Sequence, residues 1–281
     1  MDFHVRYLLA LLWARYIKRA KIIGLLYHYT YWDKYSFLSS VIHYATERWV
    51  SKKCDRLITI SKFAANNFKS LSHHNIPVFI NTPFSRDAHN FTNVVARYVP
   101  DCQRLLFVGS VERRKNVINT IKALPLLKSY VSLDIVGFSP DNDYLNIVNA
   151  TIQSYGLEKN VSLCGKISKD ELIVKYSTAT AFVLVSRMEG YGIVYAEAMG
   201  FGLPIVATTR GAVPELVEDG INGFLCDPDS ITQIAGAVNK LADKETWNRI
   251  SANNLSKAKT LKSRDQFENE SCEIFKKIKT L

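Results

Sequence analysis

The 281-residue sequence has no apolar run long enough to cross a bilayer, which takes about 20 consecutive residues as a helix. It opens on no secretory leader with a small-residue cleavage site, so a cytoplasmic location is the expectation. Its five cysteines, Cys54, Cys102, Cys164, Cys226 and Cys272, fall at no metal-ligand spacing. They read as reduced thiols rather than as a disulfide framework or a zinc site. Paired acidic metal motifs, internal repeats and low-complexity tracts are lacking as well. The net charge of +10 is accompanied by no nucleic-acid motif, so nucleic acid is not an expected partner. Basic surface suits anionic lipid or phosphorylated substrates instead. The remaining composition, 47% apolar and 22% charged, is that of a globular chain, long enough for one large or two modest domains.

The most informative stretch runs from Ser186 to Gly200 and on through Phe201-Gly-Leu-Pro-Ile-Val-Ala-Thr208. Thr180 to Val185 reads as a short apolar strand, Gly190 and Gly192 break it into a loop, and a helix starts at Ile193. A strand, a Gly-rich turn and a helix N-terminus point backbone N–H groups and a positive dipole end beyond the strand's carboxyl end, which suits phosphate. Two carboxylates, Glu189 and Glu197, bracket this turn. Beside an anion, acids are better placed to accept hydrogen bonds from hydroxyl groups. A nucleotide-sugar offers hydroxyls at both ends and phosphates between.

A second constellation follows the apolar run Arg104-Leu-Leu-Phe-Val-Gly109, which reads as a buried parallel strand. Ser110-Val-Glu-Arg-Arg-Lys-Asn116 then leads into a helix expected over Val117 to Lys128. Three consecutive cations after a strand and before a helix suit a phosphate, with arginine gripping bidentately and lysine acting as a point charge. The next strand, Ser132 to Gly137, ends on a glycine where backbone can approach a ligand closely. Another is expected from Asn160 to Gly165. Ile231 to Ala242 and Asp265 to Lys279 read as amphipathic helices.

Glu189 and Glu197 in the setting E-G-Y-G-I-V-Y-A-E-A-M-G-F-G-L-P-I-V-A resemble the E-x7-E motif of retaining glycosyltransferases of the GT-B fold, family 4. Gly211-Ala-Val-Pro-Glu-Leu-Val-Glu-Asp-Gly-Ile-Asn-Gly-Phe-Leu225 continues the pattern, and Gly109 to Asn116 follows a family variant G-T-x-E-x-R-K-N. The resemblance implies an α/β GT-B fold with Rossmann-like, doubly wound parallel sheets. It implies a shortened, incomplete acceptor-side domain over 1–98, a complete donor domain over 99–260, and a tail of 261–281 whose helix crosses back. The implied donor is a UDP- or GDP-sugar, with no cofactor and no metal. Lys115 would bind the diphosphate, with Arg113 or Arg114 as second cation. Glu189 would orient the sugar and Glu197 hold the ribose, while Gly190, Tyr191, Gly192, Ile193 and Val194 would form the turn between them. Gly109, Gly137, Gly165 and Lys166 would surround the nucleotide.

On the first-domain side the resemblance is thinner. His28 matches a family histidine near the reacting sugar, or is a polar residue beside the aromatic cluster Tyr27 to Trp32. The segment 3–21 mixes apolar and basic residues. It reads as a helix packed on its own domain, or as one lying on the inner face of a membrane. Nothing resembles the Gly-rich first loop of the family. A gene fragment, a companion subunit or homodimer, and a true shortening would each account for this. The acceptor implied is a glycan or a lipid-linked glycan. A non-catalytic nucleotide-sugar-binding subunit and a GT-B sugar-nucleotide epimerase are the alternative functions.

Overall fold

A computed structural model describes residues 21–26, 37–73, 75–85, 95–100 and 102–280. His28, the aromatic cluster of 27–32 and the basic segment up to residue 20 lie outside the described residues. The chain divides into two compact units, Met1–Pro83 with Asp265–Leu281, and Phe84–Arg264.

The first unit carries a parallel sheet in the order β1 (Ile23–Leu26), β2 (Arg56–Thr59), β3 (Val78–Ile80). Between them run α1 (Phe37–Ser51) and α2 (Lys62–Ser72). Asp55 accepts the Ile22 N–H at 2.8 Å and so ties the entry of β1 to that of β2. Ser61 caps α2, its hydroxyl accepting the Ala64 N–H at 3.1 Å, which satisfies a donor that the helix itself leaves open. Ile22, Cys54, Leu57, Phe68 and Leu71 form the core. The last helix, α9 (Arg264–Thr280), joins this unit: Asn81 donates to the Ser271 hydroxyl at 2.8 Å.

Among the described residues, the second unit holds the larger buried apolar cluster. Its elements are β4 (Cys102–Val108), α3 (Val117–Ala123), β5 (Tyr130–Val136), α4 (Asn142–Ser154), β6 (Val161–Gly165), α5 (Lys169–Thr178), β7 (Ala181–Leu184), α6 (Ile193–Gly200), β8 (Ile205–Thr208), β9 (Gly223–Cys226), α7 (Ile231–Lys240) and α8 (Lys244–Thr260). The strands pair in parallel in the order β6-β5-β4-β7-β8-β9. Every residue of β7 and β8 is buried, as continuous apolar runs in a sheet covered on both faces must be. The chain leaves β4 toward β5 and β6, then returns to place β7 on the other side. In a doubly wound sheet the crevice at the carboxyl ends of such a strand pair is where ligands sit.

Two departures from the sequence reading have local causes. The helix expected to reach Lys128 ends at Ala123 and tightens into a 3-10 turn, Leu124–Leu126. Pro125 lacks the N–H that an α-helix needs and its ring crowds the preceding turn. The helix α8 lies in a stretch not assigned to any element from sequence. It is mostly polar and is held by a few buried side chains, among them Trp247, whose indole N–H donates to the Thr180 carbonyl at 2.7 Å.

The carboxyl ends of β4, β5 and β6 are laced by backbone bonds through their terminal glycines. Gly109 donates to Val136 O at 2.9 Å, and Gly137 to Gly165 O at 2.8 Å. Gly137 has φ +144°, and a Cβ added there would collide with the Gly109 carbonyl oxygen. Gly137→Ala is therefore expected to destabilise the second unit by on the order of 3 kcal/mol, combining backbone strain with a steric clash. Thermal unfolding of the variant beside the parent chain checks this, and an unchanged midpoint would show that the strand ends can separate at little cost.

Candidate donor site at the switch between β4 and β7

The turn after β4 carries the three cations. Arg113–Lys115 form a 3-10 turn, closed by Asn116 in the left-handed region at φ 58°, ψ 35°. In such a turn successive side chains diverge by roughly 120°, so neighbours point to different places. Arg113 turns outward, its guanidinium 5.4 Å from the centre of the Tyr144 ring and its Nε 3.9 Å from Asp141. Arg114 turns toward the loop after β7. It donates to Glu112 at 2.8 Å and to the Met188 carbonyl at 3.1 Å, and its Nη1 lies 3.9 Å from Glu189. Of the two arginines left open by the sequence, Arg114 is the one beside Glu189.

Lys115 crosses the switch point. Its Nζ donates to Glu189 Oε2 at 2.6 Å, with both side chains only 11% exposed. A pair so shielded from water interacts more strongly than one at the surface. Glu189 is also approached by the Ser186 hydroxyl at 3.4 Å. Its backbone is fixed from β8's side: Ala212 donates to Glu189 O at 2.9 Å, and a Cβ on Gly211 would stand 2.8 Å from Glu189 N. Only a glycine at 211, where φ is +74°, lets the two loops pack this closely.

Past Glu189, the buried Gly190 and Gly192 turn the chain, with Tyr191 half-buried between them. Helix α6 begins at Ile193, 40% exposed, and Val194. The leading N–H groups of a helix have no acceptor within it. Glu197 lies one turn along and accepts the Tyr176 hydroxyl at 3.0 Å. That ring stacks on Phe201 with centroids 5.0 Å apart. Beneath the turn, fully buried Tyr195 donates to Leu184 O at 2.7 Å. Burial, with a smaller contribution from the nearby Glu189 charge, pushes its phenol well above the ordinary range, so it remains a neutral donor. Cys226, at the end of β9, is pushed up to about 12, first by burial and then by Asp227 and Asp219. It is an unreactive thiol.

The sequence missed the groups that bind the loops together. Asn116 donates to Val185 O at 3.1 Å and to Pro228 O at 2.7 Å, and Asn119 donates to Pro228 O at 2.8 Å. Arg210 bridges Asp227 and Asp229 at 2.9 and 2.8 Å, and Arg187 reaches Asp229 at 3.2 Å. None of these pairs has a motif spacing, and the partners are brought together only by the order of the sheet. Gly109, Gly137 and Gly165 stand together at the ends of β4, β5 and β6, on the other side of the cationic turn from Glu197.

Fold and crevice together define a GT-B type α/β protein. The family described as glycosyl transferases group 1 matches residues 99–261, more than half of the chain, and the chain belongs to that family. Among curated relatives, it is 29% identical over 209 residues to a glycogen synthase of Mycobacterium tuberculosis, covering 73% of this chain and 50% of that protein. It is 30% identical over 195 residues to a GDP-mannose-dependent alpha-(1-6)-phosphatidylinositol monomannoside mannosyltransferase of Mycolicibacterium smegmatis, covering 65% and 50%. This chain thus spans about half the length of these relatives. The solved structure of Anabaena HepE in complex with UDP-glucose superposes with a TM-score of 0.78 at 19% identity, over 100% of this chain and 78% of that one. At that identity the likeness concerns the fold alone.

Proposed function

We propose that the chain moves a hexose-like sugar from a nucleoside diphosphate to an acceptor hydroxyl, with retention of anomeric configuration and without a metal, as in family 4. The observation that carries this is the contact of 2.6 Å between Lys115 and Glu189. In a nucleotide-sugar, the anomeric carbon and the distal phosphorus are separated by a single oxygen. A cation reading the phosphate and an acid reading the sugar hydroxyls would therefore stand side by side, and the Lys115–Glu189 contact supports that reading.

As the bond from the anomeric carbon to the phosphate oxygen breaks, its electron pair stays with the diphosphate. Lys115, Arg114 and the leading N–H groups of α6 stabilise that charge. Glu189 orients the sugar, and Glu197 meets the ribose. The acceptor oxygen attacks on the face the leaving group vacates, and its proton passes to a departing phosphate oxygen. Gly109, Gly137 and Gly165 leave room for the nucleoside. The name of one relative supports a GDP-linked donor, with a UDP-linked donor as the other candidate. The phosphatidylinositol monomannoside in that relative's name suits an acceptor held at a membrane. No described helix is long and apolar enough to cross a membrane.

Calorimetry of the purified chain against UDP- and GDP-sugars, with hydrolysis followed in the same samples, tests this. Binding of one donor class is expected, with slow release of free sugar. A folded chain that binds neither class would remove the donor-site reading.

A further inference from the structure

We propose that Asn116 is a positioning residue that holds the backbone of Lys115 so that its ammonium stays in the crevice beside Glu189, and through it governs affinity for the diphosphate. The inference rests on the donor-site reading above and adds to it a residue that touches no substrate.

Asn116 immediately follows Lys115, and only 3% of it is exposed. Its backbone is left-handed and ends the cationic turn, its N–H donating to Arg113 O at 3.2 Å. Asparagine is among the few non-glycine residues that enter this region readily. Glycine would serve there equally well if conformation were the whole requirement. The carboxamide does something glycine cannot. Its single Nδ2 donates to Val185 O and to Pro228 O, and a primary amide nitrogen has two hydrogens to give. Both are in use, and both acceptors are backbone carbonyls at the carboxyl end of the sheet.

These two carbonyls identify what is being held. Val185 follows β7 directly and opens the loop that carries Glu189. Pro228 lies beyond β9, between the two aspartates that bind Arg210 and Arg187. One amide therefore joins the loop after β4 to the loops after β7 and β9, passing over β8, which stands between those strands. A backbone bond from Arg187 N–H to Arg114 O, 2.8 Å long, fastens the same turn two residues earlier. Lysine has a long flexible stem and no geometry of its own. What keeps its ammonium in a crevice is where its Cα is held, and Asn116 is the adjoining residue that holds it.

The test uses two variants of opposite logic. Asn116→Gly keeps the backbone conformation and loses both donors. Asn116→Asp keeps the shape but turns an oxygen toward two carbonyl oxygens. Each is titrated with UDP and GDP, and separately with uridine and guanosine, in the wild-type and Lys115→Ala backgrounds. For the base the protein prefers, each variant is expected to weaken diphosphate binding by about tenfold, the scale of one charge-assisted contact. Nucleoside binding is expected to stay unchanged, and no further loss should appear once Lys115 is alanine, because coupled residues are not additive.

Asn116→Gly binding the diphosphate as the parent does would overturn the proposal, since conformation alone would then suffice. An equal loss for nucleoside, or a loss that adds to that of Lys115→Ala, would also overturn it, because the residue would be holding the fold rather than the lysine. Undiminished diphosphate binding by Lys115→Ala alone would instead remove the phosphate site itself, and the proposal with it.

Discussion

Lys115→Ala is expected to lower sugar transfer by about 10²- to 10³-fold, the loss seen when one preorganised donor to a developing anion is removed. Nucleoside diphosphate binding should weaken in the same variant. The fold is expected to survive, because Arg114 stays 3.9 Å from the Glu189 carboxylate and the Ser186 hydroxyl stays within 3.4 Å. The acid is thus not stranded without a partner, the situation that makes loss of half a buried pair so costly. Turnover and a thermal melt on the same preparation decide the matter. Full activity would take Lys115 out of the mechanism, and loss of the melting transition would make the activity result uninformative for chemistry but would show that the pair is structural.

Glu189→Gln is expected to cut transfer by a comparable factor, about 10²- to 10³-fold, since the orienting acid is lost. Its effect on the sugar-free nucleoside diphosphate should have the opposite sign. In the parent chain the lysine is engaged by Glu189 at 2.6 Å, and a phosphate must compete for it. With glutamine the ammonium faces a neutral amide, so the diphosphate is expected to bind at least as tightly as before. The two variants together separate the roles: one loses product affinity and turnover, the other loses turnover alone. Parallel loss of diphosphate affinity in both would mean that Glu189 serves to hold the lysine and has no separate part in reading the sugar.

The second unit was legible in the sequence to the extent that its signals are local. Continuous apolar runs marked the strands, glycines marked their carboxyl ends, and the turn before Ile193 was marked by Gly190 and Gly192. Arg113 and Arg114 could not be told apart, because adjacent residues on a 3-10 turn have the same local sequence and differ only in what packs beside them. Here that is Tyr144 for the first and the Met188 carbonyl for the second. The Tyr176 hydroxyl on Glu197 joins residues with no motif between them. Asn116 was part of a quoted motif, yet its role depends on carbonyls 69 and 112 residues away, which only the sheet brings near. The end of α3 was legible and overlooked, since Pro125 marks it. Helix α8 was not, since a polar sequence anchored by Trp247 and a few others leaves little periodic signal. The family resemblance extended to the fold, whereas His28 and the basic segment before residue 21 fall outside the described residues.

The seam between β4 and β7 also sets the order in which the site can come into being. Arg104 and Thr180, 76 residues apart, exchange hydrogen bonds there, and Leu105 pairs with Ala181. Closing so long a loop is slow compared with forming the neighbouring helices and the β4-β5 pair. Lys115 lies in the turn just after β4, within the β4-β5 part of the chain, and Glu189 belongs to the part that must return from beyond β6. A nascent or refolding chain thus has its cations and its acids in separate pieces until the last long-range pairing is made. A nucleotide then acts on folding only after that closure, drawing the equilibrium toward the finished sheet by mass action while leaving the rate of reaching it unchanged.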